Sequence, residues 1–490
     1  MNPVETGILG LYFFCMGLLA VYGFHRLYLV FLYRRHRNDR PLPPEELPEA
    51  PVLTVQIPLF NEIYVAARII DAACALDYPV DRLEIQVLDD STDETADLCR
   101  RKVEEHAARG FRIRHIRRGS REGFKAGALE AGLKEAAGEF VAIFDADFIP
   151  SPDFARRILP HFSDPSLGMV QARWGHLNRD YSALTRVQSI FLDGHFVIEQ
   201  TARNRSGRFF NFNGTAGIWR RSCIESAGGW QHDTLTEDLD LSYRAQLLGW
   251  RFLFLPDLVA PAELPVEINA FKTQQHRWAK GSIQTGLKLL PRILKSRLPP
   301  GVKTEAFFHL TSNFAYVLMV LVSLLFFPAM RVREQMRWNA LLVLDLPIFL
   351  LATGSVLAFY LLSQREVLAG WRGSLRYLPV LMSVGIGLCV NNTRAVLEAL
   401  MGHRTEFVRT PKLRVEGRGR SGGLRKYRGS LSSLTLLELA LGIYFTGILI
   451  YAAAHRVYAS IPFLLLFQSG YLYTAFLSLA QAARSRTPRR

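Results

Sequence analysis

Three stretches of this sequence decide its fold: LTVQIPLFNE at residues 53–62, LEIQVLDDS at residues 83–91 and FVAIFDADF at residues 140–148. Each starts with a short run of β-branched and large apolar residues, which is typical of a buried strand, and each ends in polar or acidic residues. Longer stretches with helical patterning separate them. Strands that alternate with helices in this way predict an α/β domain with a mainly parallel sheet.

The same pattern predicts the bounds of the first elements of this domain. In parallel sheets of this kind, ligands bind beyond the carboxyl ends of the strands, so the polar residues there are the first candidates for a functional site. We expect strands at Leu53–Ile57, Leu83–Leu88 and Phe140–Phe144, and helices at Ile63–Leu76, Glu94–Arg109 and Phe124–Ala137.

Acidic residues stand at two of these strand ends. Asp89 and Asp90 follow the second strand, and Asp145 and Asp147 follow the third. Two carboxylates at positions i and i+2 can present oxygens to a hard divalent cation, which in turn binds phosphate oxygens. A DxD pair alone is more often a simple turn. Its position after a buried strand, and behind another strand that ends in Asp-Asp, favours a ligand site.

Two later motifs carry polar groups suited to chemistry. Thr236-Glu237-Asp238 precedes a predicted helix, Leu239–Leu248, where it either caps the helix or supplies a carboxylate that removes a proton from a hydroxyl. Gln274-Gln275-His276-Arg277-Trp278 combines an amide, a guanidinium and an indole, which together can bind a pyrophosphate and stack on a sugar ring. The alternative for this second motif is an amphipathic helix at a membrane surface.

Apolar residues are concentrated at the two ends of the chain. The net charge is +15, and arginines cluster beside the first and last apolar runs, as they do on the cytoplasmic flanks of spanning helices. Nucleic-acid-binding motifs are absent from the sequence, so we predict a lipid bilayer, and no nucleic acid, as a partner. The runs long enough to cross a core of roughly 30 Å lie at residues 7–33 and at about 305–330, 339–362, 376–400, 433–453 and 458–480.

These features divide the chain into seven segments. We predict that the α/β domain, the basic loop and the tail face the cytosol, and that 376–400 is interfacial or re-entrant rather than spanning. The segments are an N-terminal transmembrane helix with a basic flank at 1–40, a linker at 41–50, the α/β domain at 51–285, interfacial and transmembrane helices at 286–402, a basic loop at 403–431, a transmembrane hairpin at 432–482 and a basic tail at 483–490.

The motifs also follow one another in an informative order. IPLFNE, LDDS, GFKAGAL, DAD, FNGTAGIWRR, TEDLDLS and QQHRW run from about residue 52 to 285, and the set resembles the cellulose synthase-like branch of the family 2 glycosyltransferases, above all plant-type glucomannan and mannan synthases and their bacterial relatives. The resemblance implies a GT-A (Rossmann-like) glycosyltransferase domain, a nucleotide-sugar donor and an Mg²⁺ or Mn²⁺ cofactor. We expect a multi-pass protein of the bacterial inner (plasma) membrane with a cytosolic catalytic domain.

The donor side of the site follows from the resemblance residue by residue. One group is implied to hold the nucleoside and its diphosphate: Pro58, Asn61, Glu62, Asp90 and Lys125. Asp145 is implied to contact the nucleotide-sugar and, with Asp147, to bind the metal ion. The QxxRW motif is implied to hold the diphosphate and the acceptor end of the glycan through Gln274, Arg277 and Trp278.

On the acceptor side, the resemblance implies that Asp238 is the general base and that Glu237 lies beside it. Asn213 and Gly214, within FNGT, correspond to an acceptor-side loop. One base and a direct displacement imply inversion at the anomeric carbon. An α-linked donor sugar would therefore give a β-linkage.

A short motif in the basic loop is similar to the gating loop (FxVTxK-like) of membrane polysaccharide synthases. It comprises Phe407, Thr410 and Lys412 within FVRTPK, where arginine stands in place of the usual valine and a proline intervenes. The similarity implies that this loop closes over the active site. The alternative is a basic loop on the membrane surface.

Three functional classes remain open at this point. One is a processive β-glycan synthase that exports its polymer through the membrane helices, and another is a non-processive enzyme that glycosylates a lipid, similar to ceramide glucosyltransferases. The third, a transporter or scaffold with an inactive transferase domain, predicts a missing carboxylate at one motif, yet all are present. His195 and Glu199 are predicted to form a buried polar pair or to line an acceptor channel. The sequence leaves the donor (UDP-glucose or GDP-mannose), the acceptor (glycan or lipid) and the oligomeric state open.

Overall fold

The computed structural model of this protein describes residues 2–39, 41, 49–336, 347–348, 350–403, 405, 408–417 and 433–486. Within these residues, seven strands form one sheet. The strands are β1 (Leu53–Leu59), β2 (Leu83–Asp89), β3 (Arg112–Ile116), β4 (Phe140–Ile143), β5 (Leu167–His176), β6 (Gly217–Arg220) and β7 (Arg251–Ala262).

The sheet is mainly parallel and has the strand order β3-β2-β1-β4-β6-β5-β7. β1 pairs in parallel with β2 and β4, β2 with β3, and β5 with β7, whereas β6 runs antiparallel to both of its neighbours. The predicted α/β fold is therefore confirmed, although β6 makes the sheet mixed. β1, β2 and β4 each begin at the residue predicted from the sequence.

Both faces of the sheet are covered, because alternate side chains of a strand point to opposite faces. In β4, Phe140 and Ala142 pack into one buried apolar cluster, while Val141 and Ile143 pack into another. A strand buried on both faces is apolar throughout rather than alternating. This explains why the three deciding stretches are continuous apolar runs that stop abruptly at polar residues.

Helices connect the strands and cover both faces. A π-helical turn, Gly194–Gln200, joins α6 to α7. The helices up to the end of the domain are α1 (Pro3–His36), α2 (Ala66–Cys74), α3 (Thr95–Ala108), α4 (Phe124–Glu135), α5 (Phe154–Ile158), α6 (Ala183–Asp193), α7 (Thr201–Arg205), α8 (Arg221–Ser226), α9 (Glu237–Leu247) and α10 (Ile268–Lys295).

Two of these helices matter most for the site. α9 begins at Glu237, so the predicted start at Leu239 is wrong by two residues, and Glu237 and Asp238 lie in its first turn. Backbone N–H groups at a helix start favour negative charge, which accounts for an acidic pair there. α10 carries the QQHRW motif and continues to Lys295, so the predicted domain boundary at 285 falls inside one helix.

The C-terminal region is helical. The predicted apolar run 305–330 is divided between α11 and α12 at residues 312–313. Here the helices are α11 (Pro300–Thr311), α12 (Phe314–Gln335), α13 (Ser355–Val367), α14 (Leu378–Gly387), α15 (Cys389–Leu400), α16 (Leu434–Ala454) and α17 (Ile461–Arg486).

Five helical stretches among the described residues are long and apolar enough to cross a membrane, which indicates a membrane protein. One of them, Trp371–Leu400, includes the segment predicted to be interfacial, and its length and composition qualify it as a span. Parts of the predicted linker, of the run 339–362 and of the basic loop lie outside the described residues, as does Phe407. The five are Pro3–His36, Phe314–Gln335, Trp371–Leu400, Leu434–Ala454 and Tyr458–Ala483.

A shared apolar cluster joins the α/β domain to the membrane helices. Leu29 of α1 packs there with Ile190 of α6, Phe271 of α10, Phe359 of α13 and Leu381 of α14. Because α10 takes part in this cluster, the helix that carries QQHRW is held from the membrane side as well as from the domain.

Candidate active site

A cleft lies at the carboxyl ends of β1, β2 and β4, where a doubly covered sheet binds its ligands. Its lining brings together nearly all of the site residues expected from the sequence. Asn61 lies outside the lining, and it ties the end of β1 to the loop after β2 by accepting a hydrogen bond from the Thr92 N–H at 2.8 Å. The expected residues that line the cleft are Pro58, Glu62, Asp90, Lys125, Asp145, Asp147, Asn213, Gly214, Glu237, Asp238, Gln274, Arg277, Trp278, Thr410 and Lys412.

Two arginines near Asp90, of which Arg121 lines the cleft, were missed by the sequence reasoning. Arg118 donates from Nε to Asp90 Oδ1 at 3.0 Å and from a terminal nitrogen to the Phe124 carbonyl at 3.0 Å. The guanidinium of Arg121 lies 3.4 Å from the ring centroid of Phe60. Both arginines lie just before GFKAGAL, so a basic stretch beside a motif that was expected to bind the diphosphate was the available signal.

The DxD carboxylates both face ammonium groups. Lys125 Nζ donates to Asp145 Oδ1 at 2.5 Å and to the Gly214 carbonyl at 2.9 Å. Lys412 Nζ donates to Asp147 Oδ2 at 2.6 Å. No cluster of three or more His, Cys, Asp or Glu residues suited to a metal ion occurs in the described parts of the chain. The two carboxylates therefore supply hard oxygen ligands, but a metal ion here would need further ligands from elsewhere.

Asp238 is set up to exchange a proton near neutral pH. Burial, and then the charge of Glu237, raise the pKa of Asp238 to about 7, and the nearby Lys125 offsets this only in part. Burial also raises the pKa of Glu237. A carboxyl group with a pKa close to the working pH is well matched to general-base catalysis.

The segment 408–417 lies across this cleft. Arg409 pairs with Glu62 at 3.1 Å, and the Leu413 N–H donates to Glu263 Oε1 at 2.9 Å. The Val408 carbonyl accepts from Arg277 at 3.0 Å. Sequence reasoning missed Arg409 and Glu263. Glu263 follows the end of β7, so it carries the same signal as the other acidic residues, an acid just beyond a strand, on a strand that was not predicted.

Burial raises the pKa of Glu62 to about 8, and the charges of Arg409 and Lys412 counter this effect. Two cations of the segment, Arg409 and Lys412, thus pair with two carboxylates of the cleft, Glu62 and Asp147. Thr410 and Lys412, expected to be gating residues, line the cleft.

A second, larger cavity of about 1330 Å³ continues from the cleft among the membrane helices. Its wall includes polar and charged side chains such as Arg26, His195, Glu199, Arg333 and Arg456. Trp174, which lines both spaces, has an indole nitrogen that is buried with no hydrogen-bond partner in the described structure. The residues shared by the cleft and this membrane cavity are Trp174, Leu192, Asn213, Thr236, Asp238, Gln274 and Trp278.

Comparison with curated proteins finds plant relatives. Glucomannan 4-beta-mannosyltransferase 2 of Arabidopsis thaliana is 48% identical over 252 residues, which cover 50% of this chain and 47% of the relative. Glucomannan 4-beta-mannosyltransferase 1 of Oryza sativa subsp. japonica is 39% identical over 354 residues, covering 67% of this chain and 66% of the relative. The matched part of the chain thus spans 47% to 66% of the length of these two relatives. Because both relatives are plant proteins, they do not support the prediction that this protein lies in a bacterial inner membrane.

Comparison with solved structures finds the mannosyltransferase PcManGT from Pyrobaculum calidifontis, determined in complex with GDP-Man and Mn²⁺. The two chains are 22% identical with a TM-score of 0.56, and the match covers 81% of this chain and 100% of PcManGT. At this identity the likeness establishes a shared fold.

The family model "Glycosyltransferase like family 2" matches residues 50–281, which form the sheet, its covering helices and most of the cleft. The match starts just before β1 and ends within α10. The order of motifs, the GT-A fold and the relatives all agree with it. Residues 50–281 of this chain therefore form a glycosyltransferase domain of family 2.

Proposed function

We propose that this protein transfers a hexose from a nucleotide-sugar to a growing β-glycan with inversion at the anomeric carbon. The observation that carries the proposal is the position of Asp238 on the walls of both the donor cleft and the membrane cavity. A base placed there can reach an acceptor that comes from the membrane side and a donor that is bound in the cleft.

Asp238 would take the proton of the acceptor hydroxyl, whose oxygen then bonds to the anomeric carbon. The bond from that carbon to the phosphate oxygen breaks, and the nucleoside diphosphate leaves with the bonding electron pair. Lys125 and Arg277 line the cleft and supply positive charge where the leaving group becomes more negative. One displacement from the opposite face inverts the configuration.

Asp145 and Asp147 are the residues that would hold Mg²⁺ or Mn²⁺. Their carboxylate oxygens suit either ion, and phosphate oxygens of the donor can supply the ligands that the described residues lack. When bound, such an ion neutralises charge on the leaving diphosphate. The PcManGT complex with GDP-Man and Mn²⁺ supports this choice by analogy of fold.

GDP-mannose is the preferred donor in this proposal, and UDP-glucose is the alternative. The names of the plant relatives, glucomannan 4-beta-mannosyltransferases, support mannosyl transfer. The indole N–H of Trp174 has no partner among the described residues and suits an acceptor hydroxyl at the junction, and the polar side chains in the wall of the membrane cavity suit a glycan. These features support a processive enzyme that passes its polymer through the helices. We place the catalytic domain on the cytosolic side because arginines cluster beside the first and last apolar runs.

A second candidate is single transfer to a lipid. Much of the membrane cavity is apolar, with Phe326 and Phe467 in its wall, and such a space suits an acyl chain as well as a sugar ring. The two candidates share their chemistry and differ only in the product.

The test uses the full-length protein in lipid nanodiscs with radiolabelled GDP-mannose or UDP-glucose, with and without Mn²⁺ or Mg²⁺. The expected product is a water-insoluble polymer that a β-mannanase or β-glucanase digests, formed only when the divalent ion is present. A single labelled sugar that partitions into organic solvent would support the lipid acceptor. If the protein binds nucleoside diphosphate but neither hydrolyses nor transfers either donor, the proposal is overturned.

A further inference from the structure

His195 connects the wall of the membrane cavity to the acceptor-side loop. It lies in the π-helical turn Gly194–Gln200, a geometry that is common at functional sites. Its Nδ1 is 3.0 Å from Glu199 Oε2, and its Nε2 is 2.9 Å from Asn213 Nδ2. The imidazole thus stands between a carboxylate and an amide, and the direction of each hydrogen bond can be worked out from its neighbours.

One end of this chain of bonds is fixed by a backbone carbonyl. Gln200 Nε2 donates to the Asn211 carbonyl at 2.9 Å, and a carbonyl can only accept. The same nitrogen lies 2.6 Å from Asn213 Oδ1. The Asn213 amide must therefore turn its NH₂ group towards His195, whose Nε2 has to accept.

The other end is fixed by Glu199. Burial alone would raise the pKa of Glu199, but the charge of Arg203 and the hydrogen bond from His195 outweigh it and hold that pKa below its usual range. An ionised carboxylate only accepts, so His195 Nδ1 must donate. Only the neutral imidazole with its proton on Nδ1 satisfies both neighbours. Both ends of the network therefore specify the same state of His195.

The loop that His195 orients touches the reacting groups. The Gly214 carbonyl accepts from Lys125 Nζ at 2.9 Å, and Thr215 Oγ1 accepts from the Asp145 N–H at 2.9 Å. Gly214 has φ +81°, and a Cβ there would lie 3.0 Å from Asp238 Oδ2. The loop therefore packs directly against the proposed base and bonds the lysine on the donor side.

We propose that His195 is a positioning residue for sugar transfer: with its tautomer set by Glu199, it orients Asn213 and thereby holds the loop 213–215 in register with Lys125 and Asp238. This inference rests on the proposed function. It gives His195 a role through Asn213, without contact with the donor.

The test compares His195→Ala, Asn213→Ala and the double variant in nanodiscs, with the donor that the wild type uses. We expect each single variant to lower kcat on the order of 10²-fold, as a misplacement of about 1 Å does, while the affinity for GDP or UDP stays unchanged. Since both changes disrupt the same contact, the double variant should be no slower than the slower single variant.

His106→Ala is the matched control, because His106 is also a buried histidine bonded to a carboxylate, Asp71 at 2.8 Å, but lies on α3 away from the cleft. It should keep the kcat of the wild type. If His195→Ala does not fold, His195→Gln keeps an acceptor oxygen, and its combination with Asn213→Ala tests the same coupling. Multiplied losses in the double variant, or a wild-type kcat for His195→Ala, would overturn the inference. A wild type without transfer activity would instead overturn the proposed function.

Discussion

Two groups of buried carboxylates in this protein have pKa values that are shifted in opposite directions. In the cleft, the pKa of Glu62 is raised to about 8 and that of Asp238 to about 7. Between the domain and the membrane helices, the pKa of Asp193 and that of Glu305 are each lowered to about 2. Burial is the largest single influence on all of these groups and always raises the pKa, so the difference comes from their neighbours.

The second group is fully compensated within the chain. Glu305 bonds His25 Nε2 and Arg203 Nε, both at 2.9 Å, and Asp193 bonds Arg179 at 2.9 Å. In the cleft, by contrast, the largest influence on the pKa of Asp238 after burial is another carboxylate, Glu237. The ion pairs between the domain and the membrane helices are thus balanced within the chain, whereas the acidic pair of Glu237 and Asp238 in the cleft is balanced only in part.

The largest effect that tests this contrast is expected for Asp238→Asn. The amide keeps the size of the side chain but cannot take the acceptor proton, so turnover should fall by ~10²–10⁴-fold. The melting temperature and the affinity for GDP or UDP should stay at the wild-type values, because Asp238 does not hold the fold together. Radiolabel transfer, thermal unfolding and calorimetric nucleotide binding measure the three quantities. Full turnover in the folded variant would remove Asp238 from the role of base.

Glu305→Gln should do the reverse and weaken the fold. Removing one partner of a buried ion pair leaves the other charge uncompensated and costs about 3–5 kcal/mol. The decrease in the free energy of unfolding should have its full size above about pH 4, where an unfolded glutamate is ionised. It should shrink as the pH falls towards 2, because the native carboxylate then takes up its proton.

The matched control for Glu305→Gln is Glu139→Gln, which removes a carboxylate that pairs with Arg220 at 3.0 Å but is 59% exposed. Exposed pairs contribute at most about 1 kcal/mol, so this variant should unfold like the wild type in detergent. Equal melting temperatures for the two variants would show that Glu305 is not compensated as described.

Much of the fold could be predicted because its signals are local. β1, β2 and β4 are buried on both faces, so each is a short apolar run that ends where the sheet ends, and the acids beyond them mark the cleft. The start of α9 was harder. A polar loop and the first turn of a helix both accept acidic residues, so the sequence Thr236-Glu237-Asp238 is compatible with either.

Several of the ion pairs of both groups could not be predicted, because their partners are far apart in sequence. His25 and Glu305 are separated by 280 residues, and Lys412 and Asp147 by 265. No periodicity links such pairs, and only the packing of helices against the sheet brings them together. His195 and Glu199 could be paired from their spacing of four, whereas the contact with Asn213 depends on the loop after α7.

The pH dependence of turnover should follow Asp238. Its carboxylate is the reactive form, and the protonated fraction grows as the pH falls through about 7, so kcat should fall about tenfold per pH unit on the acidic side. Asp164→Asn, which changes a carboxylate paired with Arg251 at the domain surface, should leave the profile unchanged. If kcat stays constant well below pH 7 while nucleotide binding is intact, Asp238 is not the base.

The smallest effect is expected for Lys412, whose ammonium group pairs with Asp147 in the cleft. The Lys412 ammonium bonds the carboxylate that is proposed to hold the metal ion, so the two cations compete for it. Lys412→Met should raise the affinity for Mn²⁺ in the absence of donor by about fivefold, or about 1 kcal/mol, because the ammonium of this buried ion pair no longer competes for Asp147. Electron paramagnetic resonance of free Mn²⁺ measures this. Arg409→Met, which removes the cation on Glu62 instead, is the control and should change the affinity less. If both variants bind Mn²⁺ like the wild type, Asp147 is not the carboxylate for which metal and loop compete.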